Sequence, residues 1–179
     1  MQIRPEQTMK EILEVFPGAQ RALFRKYHLG GCASCAFPAE ETLASLCQRN
    51  SLDPADVIRQ LEESQQQDDA LQISAAQLAA LRKEKPVRLV DVRSREEFEA
   101  TRIEGAVLLS QPVMQEILAH WPRADFFVVY DHRGQHSLDA AAYFIGQGFS
   151  QVRCLRGGID AWAKEADAAI PRYRLEMTT

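Results

Sequence analysis

With 179 residues, 46% hydrophobic and 26% charged, the chain is long enough to bury one sizeable core and a second small one, so one or two globular domains are expected. A formal net charge of -4, with Lys and Arg scattered singly among acids, leaves no basic stripe to hold a phosphate backbone, and nucleic acid is excluded as an expected partner. No stretch nears the roughly 18 apolar residues of a membrane span, and Met1 to Lys10 lack a basic start followed by an apolar run, so a cytoplasmic protein without membrane association is expected.

The first part reads as a string of short helices. Thr8 followed by Glu11 is a capping box that opens a helix carrying Met9, Ile12 and Leu13, which Pro17-Gly18 interrupts. A second helix begins near Pro17, carries Ala22, Leu23 and Tyr27, and stops at Gly30-Gly31. A third is expected from Pro38 with Leu43, Leu46 and Cys47 on its apolar stripe; a fourth has Asp53 as N-cap, Pro54 in first position, and Val57, Ile58 and Leu61 inward. From Glu62 to Ala70 the run is polar, as in a solvated helix end or linker. Residues 1–70 carry 7 basic and 11 acidic side chains, whereas 71–179 carry 14 of each, so the halves differ in character.

Beyond Leu71 the period changes. Val87–Val92, Phe126–Tyr130 and Gln151–Leu155 are short apolar runs suited to strands buried on both faces of a parallel sheet. Helical patterns at Ala75–Lys83, Arg95–Ala100, Val113–Ala119, Ser137–Gln147 and Ile159–Ala166 alternate with them, which is the signature of an α/β layered domain. The expected organisation is a small all-α domain over 1–64, a linker over 65–70, an α/β domain over 71–173 and a tail over 174–179.

Ligands of open parallel sheets bind beyond the carboxyl ends of the strands, which directs attention to the turn after Tyr130. It reads Asp131-His132-Arg133-Gly134-Gln135-His136 and leads into a helix. Loop N–H groups backed by a helix start make a cradle for an anion, Gly134 permits the curl, and His132, Arg133 and His136 add donors or charge. Asp131, His132 and His136 are also conceivable metal ligands, although no helical spacing fixes them. Asp91, Arg93 and Glu97 read as a structural charge cluster, Trp162 as core packing, and Cys154 as a buried thiol near the loop.

Leu89 to Phe98, then Ile103-Glu104-Gly105-Ala106, and finally Arg156-Gly157-Gly158-Ile159-Asp160-Ala161-Trp162 resemble the first and last signatures of the rhodanese family, in order around that loop. The resemblance implies a rhodanese-like five-stranded parallel sheet with helices on both faces and an active loop beginning at position 131. Sulfur-transferring members have cysteine at that position, because a thiolate must attack the donor and hold the outer sulfur as a persulfide. Asp131 cannot form one. Arg102 and His136 depart from the family pattern as well, where histidine and arginine are common. The domain is therefore expected to be a catalytically degenerate binding module with no catalytic residue in the loop, in which the charge of Asp131 plugs the cradle by accepting several hydrogen bonds.

The remaining chemistry concentrates on cysteine. Cys32-Ala33-Ser34-Cys35 is a Cys-x-x-Cys, which in a reducing compartment suggests redox or metal chemistry. A helix opened by Pro38 next to it would favour thiolate. The pattern from Thr8 through Leu61, with Tyr27 to Cys35, Glu41-Thr42-Leu43 and Leu52-Asp53-Pro54, resembles the small bacterial redox-disulfide domain DUF1858, which implies that Cys32 and Cys35 are its functional pair. Three chemistries stay open: dithiol/disulfide or persulfide exchange; zinc or iron–sulfur ligation, with further ligands from Cys47, His28 or a second subunit of a homodimer; or a structural pair. A sulfurtransferase using Cys154 or Cys32 as substitute nucleophile is a further alternative. The expected partners are a protein of thiol or sulfur metabolism and a small anion.

Overall fold

A computed structural model describes residues 3–30, 37–134 and 136–173. Cys32, Cys35, Gln135 and the tail 174–179 lie outside the described residues. The chain divides into two compact units, Met1–Ala70 and Leu71–Thr179.

In the first unit, α1 (Met9–Val15), α2 (Ala19–Tyr27), α3 (Leu43–Arg49) and α4 (Pro54–Leu71) surround a core of Met9, Ile12, Phe16, Leu23, Leu43, Leu46, Cys47, Val57 and Leu61. Thr8 and Glu11 form the capping box of α1. The third helix does not start at Pro38. The carbonyls of Ala39 and Glu41 accept the first N–H groups of α1, from Lys10 at 2.9 Å and Met9 at 2.8 Å, so this stretch is spent satisfying another helix's orphan donors and α3 waits for the Thr42 cap. No helix start at Pro38 is therefore available to activate the Cys35 thiol. His28 closes α2 in the left-handed conformation, φ 56°, and Cys47 is a core residue. Burial, with Asp53 nearby, pushes the Cys47 thiol up.

The expected linker is helical as well. α4 continues through Glu62–Ala70 because Leu61, Ser64 and Asp68 extend the inward stripe of Val57, and the Asp68 carboxylate receives the Arg21 guanidinium at 2.5 Å. Gln and Glu are good helix formers, so a polar run need not be a loop.

The second unit contains β1 (Gln72–Ile73), α5 (Ala75–Glu84), β2 (Arg88–Asp91), α6 (Arg95–Ala100), β3 (Ala106–Leu108), α7 (Gln111–His120), β4 (Phe126–Tyr130), α8 (His136–Gly146), β5 (Gln151–Leu155) and α9 (Gly158–Glu165). All five strands are parallel in the order β1-β5-β4-β2-β3, the rhodanese-like sheet with helices on both faces. Period-two alternation sends alternate residues to opposite faces. Leu89, Val128, Tyr130 and Leu155 join Leu78 of α5 and Trp162 of α9 on one side, and Val90, Phe127, Val129, Val152 and Cys154 join Ile117 of α7 and Phe144 of α8 on the other. β1 and β3, only two and three residues long, are edge strands too short to carry a periodic signal. Among the described residues no helix is long and apolar enough to cross a membrane.

Candidate functional site

The sheet places the site at the carboxyl end of β4, its central strand. Asp91 at the end of β2 is in register with Tyr130, the last residue of β4, so the segments leaving these two strands meet at one edge. The loop from Asp131 then curls back on itself. The N–H groups of Gly134 and His136 donate to the Asp131 carboxylate, the second at 2.7 Å, and the Ser137 hydroxyl donates to it at 3.4 Å. Asp131 is buried, and its negative charge lies at the start of α8, where the helix dipole favours it.

The carbonyls of the loop are used as fully as its N–H groups. Asp131 O accepts from Ile159 N at 2.9 Å and His132 O from Asp160 N at 3.2 Å, so the loop satisfies the first donors of α9. This close approach requires glycine. Gly134 has φ +84°, and a Cβ there would stand 2.8 Å from Gly157 N; Gly158 has φ +60°, and a Cβ would collide with the backbone of Asp131 and His132.

A charge network flanks the loop. The guanidinium of Arg93 donates to both carboxylate oxygens of Asp91, at 2.6 to 3.1 Å, and to Thr101 O at 2.7 Å, with both side chains almost wholly buried. Burial alone would lower the Arg93 pKa, but the bonds and charge of Asp91 raise it above the ordinary guanidinium value. Arg93 Nη1 donates to the Tyr173 hydroxyl at 2.6 Å, and that hydroxyl donates to Glu97 at 2.8 Å. Burial, and then the bond to Glu97, push the Tyr173 phenol up to about 12. Its ring lies against His132, with centroids 4.5 Å apart and planes at 44°. His132 is buried, and among the described residues neither ring nitrogen has a hydrogen-bond partner.

Arg133, Asp160, Arg172 and Tyr173 line an open cleft of about 490 Å³. Arg172 pairs with Asp160 through two bonds of 2.7 and 2.9 Å, which hold the Asp160 carboxyl below its usual range. Tyr173 and Arg172 are the residues that sequence reading does not find: no motif or period marks them, and their partners lie as much as 80 residues away.

Of the sequence-derived candidates, Asp131, His132, Arg133, Gly134 and His136 form one loop, with Asp131 and His132 inside and Arg133 and His136 exposed. Among the described residues no group of three His, Cys, Asp or Glu side chains is placed to hold a metal ion. The Asp131 carboxylate faces backbone N–H groups instead. Cys154 Sγ is fully buried in β5 and donates to Ser137 O at 3.2 Å.

A doubly covered parallel sheet, with a tight loop closing on an acid beyond its central strand, defines an α/β protein of the kind that binds ligands at its strand ends. The chain belongs to the rhodanese-like domain family, whose model matches residues 74–165, more than half of its length. It is 37% identical over 90 residues to a thiosulfate sulfurtransferase GlpE of Pseudomonas savastanoi pv. phaseolicola, covering 50% of this chain and 84% of that protein. It is 36% identical over 78 residues to a sulfurtransferase of Allochromatium vinosum, covering 44% and 73%. A rhodanese-like domain protein of Staphylococcus aureus aligns with a TM-score of 0.47 at 24% identity, over 57% of this chain and 98% of that one.

Proposed function

We propose that the rhodanese-like unit binds a small sulfur oxyanion without transferring sulfur, and that the thiol chemistry of the protein resides in Cys32 and Cys35. The observation that speaks against transfer is the Asp131 carboxylate, at the first loop position, accepting the N–H groups of Gly134 and His136. A carboxylate holds no transferable sulfur, and one so placed occupies the cradle that would otherwise stabilise a thiolate or persulfide. Sulfur chemistry is the context because relatives of the unit are thiosulfate sulfurtransferases. Cys154 is a poor substitute nucleophile, since its thiol is fully enclosed and hydrogen bonded. Arg133, exposed at the mouth of the cleft, is the group that meets an oxyanion. A protein partner in thiol or sulfur metabolism would exchange with the Cys32/Cys35 pair.

Incubation of the reduced protein with thiosulfate and cyanide tests this reading. No thiocyanate above the buffer rate is expected. Robust turnover that persists in Cys32→Ser/Cys35→Ser and stops in Asp131→Asn would overturn it.

A further inference from the structure

Tyr173 has two faces in this structure: it lines the cleft beside Arg133, and its ring covers His132. His132 beneath is more than nine-tenths buried, and among the described residues both ring nitrogens are unpartnered, an unusual state for a side chain with hydrogen-bonding capacity. Nothing in the loop fold itself uses those nitrogens; His132 serves the fold through its backbone carbonyl, which caps α9. The cover is held lightly. Among the described residues Ile170 is the last of the segment in the core, and beyond it the described anchors are the half-exposed Arg172–Asp160 pair and the two hydrogen bonds of the Tyr173 phenol. Exposed ion pairs contribute little, and a buried imidazole regains hydrogen bonds when it is uncovered.

We propose that Tyr173 is a gate on His132: when it swings away, the cleft gains the imidazole and the Arg93 Nη1 donor beside Arg133, and the site then takes a small sulfur oxyanion. This rests on the oxyanion-binding reading above and adds its regulation. The displaced hydroxyl fixes the chemistry of the opened site, because it accepts from Arg93 and donates to Glu97. An oxyanion replaces it on the Arg93 side only. Glu97 and Asp160 border the opened site and repel charge that extends past Arg93 and Arg133, so a compact anion such as thiosulfate fits better than an extended polyanion.

Diethyl pyrocarbonate labelling, mapped by mass spectrometry at His28, His120, His132 and His136, reads the gate, and calorimetric titration with thiosulfate reads the site. In the wild type His132 should label more slowly than exposed His120 and His136. Tyr173→Ala should raise both His132 labelling and thiosulfate affinity on the order of tenfold. Tyr173→Phe, which keeps the ring and loses both bonds, should lie between them and carries the test if the alanine variant fails to fold by circular dichroism. Arg133→Ala in the Tyr173→Ala background should lose the binding. Faster His132 labelling with unchanged thiosulfate affinity would overturn the gate and leave the oxyanion-binding reading standing. Absence of thiosulfate binding in wild type and both Tyr173 variants would remove that reading, and the gate with it.

Discussion

The Asp131 carboxylate accepts the backbone N–H of His136, five residues further along the chain, at 2.7 Å, and the same carboxylate takes the N–H of Gly134. One side chain thus fastens the loop at both its bend and its exit into α8. Asp131→Ala should destabilise the unit by about 2 to 4 kcal/mol, since two charge-assisted, part-buried bonds are lost and the loop they fasten is released. Urea unfolding measures it. Asp131→Cys should cost less than the alanine variant at high pH, where a thiolate can accept the same N–H groups, and after exposure to thiosulfate should show the mass of one added sulfur.

Arg93 and Asp91 form a buried pair whose geometry is bidentate. Arg93→Ala leaves a buried carboxylate without its counter-charge at the carboxyl end of β2 and should cost about 3 to 5 kcal/mol. The double variant Asp91→Asn/Arg93→Ala should recover part of that loss. A double-mutant cycle by denaturant titration checks both, and equal losses in the single and double variants would contradict the coupling.

The Tyr173 clamp has a defined pH window. The phenol is raised from its ordinary 10.0 to about 12, first by burial, so its stabilisation is fully present below pH 10 and is lost as pH rises through about 12. Burial works against the charge of Glu97, but the Tyr173 phenol and the bonds with Ser94 hold its carboxyl below the usual 4.5. Its contribution is therefore present above that value and is lost as pH falls through the lowered one. The difference in absorbance near 295 nm between wild type and Tyr173→Phe should titrate with a midpoint near pH 12, and thermal stabilities of the two should converge at both extremes.

Gly158→Ala should be among the most damaging single-methyl substitutions in the chain. The added Cβ meets the backbone of Asp131 and His132, which cannot rotate aside, and φ is +60°. A loss of about 2 to 5 kcal/mol is expected from overpacking and left-handed strain together, against no loss or a gain of a few tenths for Gly146→Ala, in α8, where the Cβ meets open space. Thermal denaturation compares them.

Helical continuity of α4 predicts that Gln66→Pro costs about 3 kcal/mol or more, by removing a hydrogen bond and clashing with the preceding turn. A true linker would tolerate it, and circular dichroism with urea unfolding separates the two outcomes.

The sequence alone determined whatever rests on contacts within a few residues. β4 runs over Phe126–Tyr130 as its apolar run states, because a strand buried on both faces is apolar throughout, and β5 runs over Gln151–Leu155, where Val152, Cys154 and Leu155 carry the signal. The Thr8 capping box, the Asp53-Pro54 start of α4 and the acid opening the loop were equally legible, each being local chemistry. Tertiary structure decided the rest. Pro38 opens no helix because the carbonyls of Ala39 and Glu41 are claimed by α1, and residues 62–70 stay helical because Asp68 meets Arg21 from another helix. Tyr173 reaches Arg93 and His132 only once the sheet has brought the ends of β2 and β4 side by side. Hydrogen bonds of short span are written in neighbouring residues, whereas those joining distant parts of the chain exist only after the layers pack.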